Sequence, residues 1–283
     1  MSSQTDGYYL PEPSRWPIVG SVALLLLAFG AVMMMNSVSG GGYCLLAGAA
    51  VMTYMLFGWF GTVIGESEAG KYNKQVDVSY RWAMSWFIFS EVMFFAAFFG
   101  ALFYMRVLSI PWLADADTGT LLWEGFSAGW PTDGPGVSSE FTPMGAWGLP
   151  AINTALLLTS GVTITIAHWA LKQNKRSQLN LFMFLTIALG VAFLALQVEE
   201  YMHAYNDLDL TLESGAYGAT FYMLTGFHGF HVTVGTLMLI VIWIRGIKGH
   251  FRPEAHFGFE GVAWYWHFVD VVWLGLFIFV YWL

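Results

Sequence analysis

Residues 256–283 read HFGFEGVAWYWHFVDVVWLGLFIFVYWL and carry most of the information about the fold of this chain. The segment is apolar and long enough to cross a hydrocarbon layer of about 30 Å as a helix, yet it contains Glu260, His267 and Asp270. At about 100° per residue, these three positions fall within a stripe roughly 80° wide on one helix face. We therefore predict a membrane-spanning helix whose polar face is buried against other helices.

The rest of the chain is similarly apolar, since 57% of its residues are hydrophobic and only 11% are charged. Soluble domains do not have this composition. Seven continuous apolar runs are long enough to span a membrane as helices: residues 17–35, 43–65, 80–105, 148–171, 179–201, 217–244 and 257–282. A transmembrane barrel would instead alternate polar and apolar residues. The predicted fold is an all-α integral membrane protein with seven transmembrane helices.

The basic residues predict the orientation of these helices. If residues 1–16 are a cytoplasmic N-terminal segment, ten of the 11 basic residues are cytoplasmic and only Arg106 lies outside. The ten are Arg15, Lys71, Lys74, Arg81, Lys172, Lys175, Arg176, Arg245, Lys248 and Arg252. This bias follows the positive-inside rule and places the C-terminus on the opposite side of the membrane.

The longest connection, residues 106–147, is predicted to be an outer loop that packs over helix ends or over a partner subunit. Its acidic residues are Asp115, Asp117, Glu124, Asp133 and Glu140, and the next outer loop adds Asp207, Asp209 and Glu213. Two interpretations of this acidity remain open. It forms a solvated surface, or it attracts a cationic soluble partner.

The cysteine content excludes several kinds of site. Cys44 is the only cysteine, so the chain has no internal disulfide, no CxxCH haem attachment and no pair of thiolate metal ligands. The sequence also has no glycine-rich phosphate loop, and its charges are too sparse for a nucleic-acid partner. No set of catalytic residues is therefore expected in this chain.

Glu91 lies near the middle of the third span, within WFIFSEVMFFAAFFG and about 17 Å from Tyr80 by helical rise. A charged group at a helix centre costs about 2.5–3.5 kcal/mol on the insertion scale. Two interpretations remain open for this carboxyl. It joins two helices as a neutral acid, or it has a proton-linked or gating role.

His228 and His231 lie three residues apart in GFHGFH, on one face of the sixth span. Such a pair can bind a metal or a haem, but a metal site needs further ligands, and His168 and His267 are alone on their spans. We therefore predict no metal site. The better hypothesis is a hydrogen bond between Glu91 and one of the two histidines, and the sequence does not determine which one.

Other polar residues are expected at the membrane boundaries. The outer end of the fifth span contains three that we expect to be mostly interfacial: Glu199, Glu200 and His203. Trp59, Arg81 and Arg245 lie near the inner boundary, where aromatic rings and guanidinium groups suit anionic lipid head groups. Ordinary interfacial anchoring explains each of them equally well.

The motif HFxFE followed by AWYWHFVDVVWL resembles the C-terminal signature of cytochrome c oxidase subunit III. The segments RWAMSWFIFSEVMFFAAFFGALF, PAINTALLLTSGVTITIAHWAL, YGATFYMLTGFHGFHVTVGT and PSRWPIVG resemble other parts of that family. The resemblance, of bacterial type, implies a two-helix N-terminal unit (residues 17–66) separated by a lipid-filled V-shaped cleft from a five-helix bundle (residues 80–283). It also implies a bacterial inner membrane location, with residues 106–147 forming a periplasmic loop.

The resemblance further implies a non-catalytic core subunit of an aa3-type cytochrome c oxidase, in which oxygen reduction is coupled to proton pumping. Haem a and copper would belong to the partner subunits I and II, and cytochrome c would be the substrate of the complex. This chain would hold structural phospholipids, but no metal, redox centre or catalytic residue. Its family role would be to protect the catalytic subunit from inactivation, sustain proton uptake and offer oxygen a lipid-lined route.

The resemblance also carries over particular residues. Glu91 matches the membrane-buried carboxylate of the family that reacts with carbodiimides. The positions at or beside those that line the cleft or hold lipid are Trp59, Glu66, Arg81, Arg245 and His256. This chain departs from the family by having Phe60 and Gly65 where relatives carry a second tryptophan and an arginine.

Two alternatives remain open. One is subunit III of a quinol oxidase, although such chains usually lack the first two helices. The other is a stand-alone proton-linked transporter that uses Glu91 and the histidines. A transporter would need inverted repeats or helices broken at mid-membrane, and the sequence contains neither.

Overall fold

The computed structural model describes residues 9, 11–115, 117, 121–136 and 140–283. Over these residues the chain is helical, with no strand beyond an isolated bridge between Arg252 and Ala255. The long helices are α1 (Trp16–Met35), α2 (Gly41–Glu68), α3 (Lys74–Phe103), α4 (Leu149–Lys172), α5 (Arg176–Asp207), α6 (Gly215–Ile247) and α7 (Phe257–Leu276). All seven are long and apolar enough to span a membrane, which confirms the predicted all-α, seven-span fold.

Two of the helices end in π-helical turns. Helix α3 continues through Tyr104–Ser109 and Ile110–Leu113, and α7 continues through Phe277–Trp282. The loop predicted to begin at Arg106 therefore begins after Leu113, which corrects the sequence prediction. Arg106 lies within the first of these π-helical turns, and its guanidinium donates a hydrogen bond to the backbone carbonyl of Leu283. Pro111 is the second residue of the last helical segment, directly after the π-helical turn.

The chain divides into two compact units between Tyr80 and Arg81. In the first unit, α1 and α2 pack with their backbones in close contact. A Cβ atom on Gly30 would lie 2.7 Å from the backbone nitrogen of Leu45, and one on Gly48 would lie 2.8 Å from that of Leu27. Only glycine fits at such distances, so these small residues determine how closely the first two helices approach.

In the second unit, α4 packs against α5, α5 against α6, and both α4 and α6 against α7. A larger share of α7 is buried than of any other span. Its Trp266 and Trp273 are fully buried, and their indole N–H groups donate 2.9 Å hydrogen bonds to the hydroxyls of Ser160 and Thr154 on α4. These bonds satisfy donors that would otherwise be buried without partners. Helix α7 thus forms the centre of this bundle.

The described part of the long loop packs over the start of α6. The N–H groups of Ala216 and Tyr217 donate 3.0 Å hydrogen bonds to the carbonyls of Asp133 and Thr132. The ring of Trp130 meets the ring of Tyr217 edge-on, with centroids 5.8 Å apart. The first N–H groups of a helix have no partner within the helix, and here the loop supplies it.

Candidate functional site

Helices α3 and α6 are joined by a polar contact in the second unit. Oε2 of Glu91 lies 3.0 Å from Nε2 of His231. The Glu91 side chain is 22% exposed and the His231 side chain 9% exposed, so both groups lie mainly within the protein. Of the two histidines that the sequence offers as partners of Glu91, the structure brings His231 to it.

The other ring nitrogen of His231 determines where the protons can be. Nδ1 lies 2.6 Å from the carbonyl oxygen of Phe227, which can only accept a hydrogen bond, so Nδ1 carries a proton. One further proton then lies between Nε2 of His231 and Oε2 of Glu91. On the oxygen it gives a neutral acid and imidazole, and on the nitrogen it gives a carboxylate and imidazolium. The pair can therefore move one proton between its members without changing its net charge.

Aromatic rings surround the imidazole of His231. The ring of Phe95 meets it edge-on at a centroid distance of 5.0 Å, and the ring of Tyr265 stacks on it at 6.4 Å. The Tyr265 hydroxyl also donates a 3.4 Å hydrogen bond to the backbone carbonyl of His231. These rings restrict the imidazole to one orientation, and their low polarity strengthens its bond to Glu91.

His228 has a different partner. Its fully buried Nε2 lies 3.1 Å from the carbonyl oxygen of Val269 on α7, to which it donates a hydrogen bond. Its ring also packs on Trp273, with centroids 5.1 Å apart. Residues three apart on a helix point about 60° away from each other. That difference is enough to direct His231 toward α3 and His228 toward α7.

The predicted polar face of α7 meets α4 at two of its three residues. Nε2 of His267 lies 3.3 Å from the hydroxyl of Thr165. Asp270 lies against Gly161, where an added Cβ would be only 2.5 Å from its Oδ2. Because Gly161 has no side chain, the carboxyl of Asp270 fits between the two helices.

Glu260, the third residue of this face, forms an ion pair with Arg81. Their closest atoms, Arg81 Nη1 and Glu260 Oε2, are 2.7 Å apart. The guanidinium of Arg81 also lies over the ring of Phe257, 5.3 Å from its centroid. Arg245 is placed similarly, 4.6 Å from the ring centroid of Phe251. Both predicted lipid-binding arginines are thus oriented by aromatic rings near helix ends.

The first unit contains two of the predicted lipid-binding residues. Glu66 accepts a 2.8 Å hydrogen bond from the hydroxyl of Tyr72. Burial, followed by hydrogen bonds to Tyr80 and Glu66, raises the pKa of Tyr72 above its ordinary value, so this hydroxyl remains a donor. Trp59 is 48% exposed and stacks on Phe60 with ring centroids 5.8 Å apart, which leaves an apolar surface on α2.

His256, the last of the predicted lipid-binding residues, directly precedes α7. Its Nε2 lies 3.1 Å from Nε2 of His168 on α4. The two histidines are 88 positions apart in the chain. The sequence does not associate the two histidines, because no local spacing connects a residue inside one helix with a residue before another.

Glu200 corrects the prediction that the polar residues at the end of α5 are interfacial. It is fully buried, and its Oε1 accepts a 2.6 Å hydrogen bond from the Tyr281 hydroxyl. A signal was present in the spacing of the buried residues of α5, which recur every three or four positions apart from the adjacent pair Thr186 and Ile187. They are Leu179, Met183, Thr186, Ile187, Gly190, Phe193, Gln197, Glu200 and Ala204. Glu199 and His203 fall outside this stripe and remain exposed.

Comparisons with known proteins agree along the whole chain. A family model described as "Cytochrome c oxidase subunit III" matches residues 6–283. Three similar relatives are each named "Cytochrome c oxidase subunit 3". The relative from Marchantia polymorpha is 40% identical over 281 residues, covering 99% of this chain and 97% of the relative. Those from Phoca vitulina and Halichoerus grypus are 38% and 39% identical, each over 100% of this chain and 99% of the relative. This chain therefore belongs to the cytochrome c oxidase subunit III family, whose members are subunits of a haem-copper oxidase.

Proposed function

We propose that this chain is the non-catalytic core subunit III of an aa3-type, proton-pumping cytochrome c oxidase. In this proposal it contacts subunit I mainly and subunit II as well, and those partners hold haem a and copper. Cytochrome c is the substrate of the complex. The contribution of this chain is to stabilise subunit I, to sustain its proton uptake and to hold phospholipids through which oxygen can approach.

The observation that carries the supporting role in this proposal is the hydrogen bond between Glu91 and His231. A polar group in a membrane has no water to bind, so separating the two residues would leave Oε2 of Glu91 and Nε2 of His231 without this hydrogen bond. The contact therefore favours a single arrangement of α3 on α6. A rigid helical support is what a subunit without a redox centre can contribute to a neighbour that turns over repeatedly.

The exposed surface of the helices supports the lipid part of the proposal. On α3 this surface is formed by Trp82, Trp86, Phe87, Phe89, Val92 and Met93, which are all exposed. Oxygen partitions into apolar phases, so acyl chains along such a surface would carry it without a polar binding site. The Arg81 side chain remains 34% exposed beside Glu260, where a phospholipid head group can bind it.

The proposed location is the inner membrane of a bacterium, with the N-terminus cytoplasmic and the C-terminus periplasmic. The support for this orientation is the distribution of the basic residues. Ten of the 11 lie in the segments that this orientation makes cytoplasmic. The acidic residues of the connections on the other side face the compartment where we expect cytochrome c to bind.

Purification of the tagged chain in mild detergent, with visible spectra and metal analysis, tests the assignment. Larger subunits that carry haem a and copper and oxidise cytochrome c would support it. Haem b or haem o with quinol oxidation would instead assign the chain to a quinol oxidase. A colourless chain that is stable without partners would contradict both assignments and favour a transporter.

A further inference from the structure

We infer that His168, His256 and Glu260 form a binding site for a divalent transition-metal ion of the zinc type. One ligand atom from each residue lies within 4.8 Å of the other two. The site is at the end of α4 and the beginning of α7, near the inner surface in the proposed orientation. It is separate from the contact between Glu91 and His231.

The distances suit a tetrahedral ion. Two imidazole nitrogens bound to zinc at 2.0–2.1 Å with tetrahedral angles are about 3.3 Å apart. The Nε2 atoms of His168 and His256 are 3.1 Å apart, which is close to the separation that zinc requires. Two histidines and one glutamate also form a known zinc ligand set, which leaves a fourth position for water. Imidazole ligands favour zinc, copper or nickel over magnesium or calcium.

The surroundings orient the ligands. Nδ1 of His256 lies 3.2 Å from the carbonyl oxygen of Arg252 and donates to it, so Nε2 has its lone pair available. Glu260 follows His256 by four residues, in the first turn of α7, and both therefore face the same side. The ring of Phe259 packs against the ring of His168, with centroids 5.6 Å apart. In the absence of a metal, His168 donates its Nε2 proton to His256.

Arg81 determines how tightly the ion binds. Its guanidinium contacts Oε2 of Glu260 at 2.7 Å, so a metal ion must share that carboxylate with a cation. The site should therefore bind zinc more weakly than a closed structural site. To bind zinc through Nε2, His168 must carry its ring proton on Nδ1 instead. Neutralising Arg81 should increase the affinity for zinc, whereas removal of a ligand should decrease it.

The test uses the full-length chain in lipid nanodiscs, stripped with EDTA and titrated with zinc chloride against a chromophoric chelator. We expect one zinc ion per chain to compete with the chelator. His168→Gln and His256→Gln should each weaken zinc binding at least about tenfold. Arg81→Gln should tighten binding. His203→Gln is the matched control, because His203 is an exposed histidine at the opposite end of the bundle, bonded to Asp207, and it should not change the affinity.

X-ray absorption of the zinc-loaded, unmodified chain provides a second measurement that does not depend on a variant folding. Two imidazoles and one carboxylate in the first shell would support the site. A shell of oxygen atoms alone would overturn the proposal. Zinc binding that is unchanged in both the His168→Gln and His256→Gln chains would overturn it too, as would weaker binding in Arg81→Gln.

Discussion

His231 and Glu91 are bonded between Nε2 and Oε2 at 3.0 Å, and this hydrogen bond connects α6 to α3 within the span. One turn earlier, His228 connects the same α6 to α7 through the carbonyl of Val269. Two histidines that look equivalent in the sequence thus bind different neighbours of one helix.

Replacing His231 tests the partner of Glu91. In His231→Ala the carboxyl of Glu91 loses its hydrogen bond, so its infrared C=O band should shift, and the complex should lose about 1–3 kcal/mol of unfolding free energy. His228→Ala is the control, because it removes a buried histidine but leaves the environment of Glu91 intact. A carboxyl band that shifts in His228→Ala but not in His231→Ala would contradict the assignment.

Replacing Glu91 separates its structural role from a proton-linked role. Since Nδ1 of His231 carries a proton, Nε2 can accept a hydrogen bond from the amide of Glu91→Gln. We expect this variant to keep the stability and turnover of the complex. Glu91→Ala should lose both, and it should inactivate faster during sustained turnover. Loss of proton uptake in a stable Glu91→Gln complex would show that the carboxyl itself is needed.

Replacing Gly48 tests the packing of the first two helices. A Cβ there would lie 2.8 Å from the backbone nitrogen of Leu27, so Gly48→Ala must separate α1 from α2 and should cost about 1–3 kcal/mol. Gly42, on the same helix, has no atom within 4 Å of an added Cβ. Gly42→Ala should therefore be neutral or slightly stabilising. Thermal unfolding of the two variants, followed by tryptophan fluorescence, checks the difference.

Replacing Ala97 tests the proposed route for oxygen. Ala97 is exposed on α3, where we propose that phospholipid acyl chains pack. In Ala97→Phe the larger side chain should obstruct that path, so turnover at low oxygen should slow severalfold while turnover at saturating oxygen is unchanged. Ala155→Phe, at an exposed alanine on α4, is the control. An unchanged oxygen affinity in Ala97→Phe would count against the route.

Much of the fold could be predicted from the sequence, because membrane spans depend on local composition. The seven apolar runs coincide with the seven long helices. The sequence predicts the end of α3 too early, because Arg106 interrupts the apolar run. In the structure the helix continues to Leu113, and Arg106 donates a hydrogen bond to the distant backbone carbonyl of Leu283.

The candidate sites were less predictable, because they depend on which helix faces which. Sequence alone determined that Glu91, the histidines of α6 and the polar stripe of α7 lie within spans. It could do so because hydropathy and helical periodicity are local properties that a short stretch of sequence contains. Only the tertiary structure decided that His231 binds Glu91, that Glu200 is buried against Tyr281, and that His168 meets His256. The physical reason is that lateral packing brings together residues from separate helices, and neither the order nor the rotation of packed helices is encoded in any one of them.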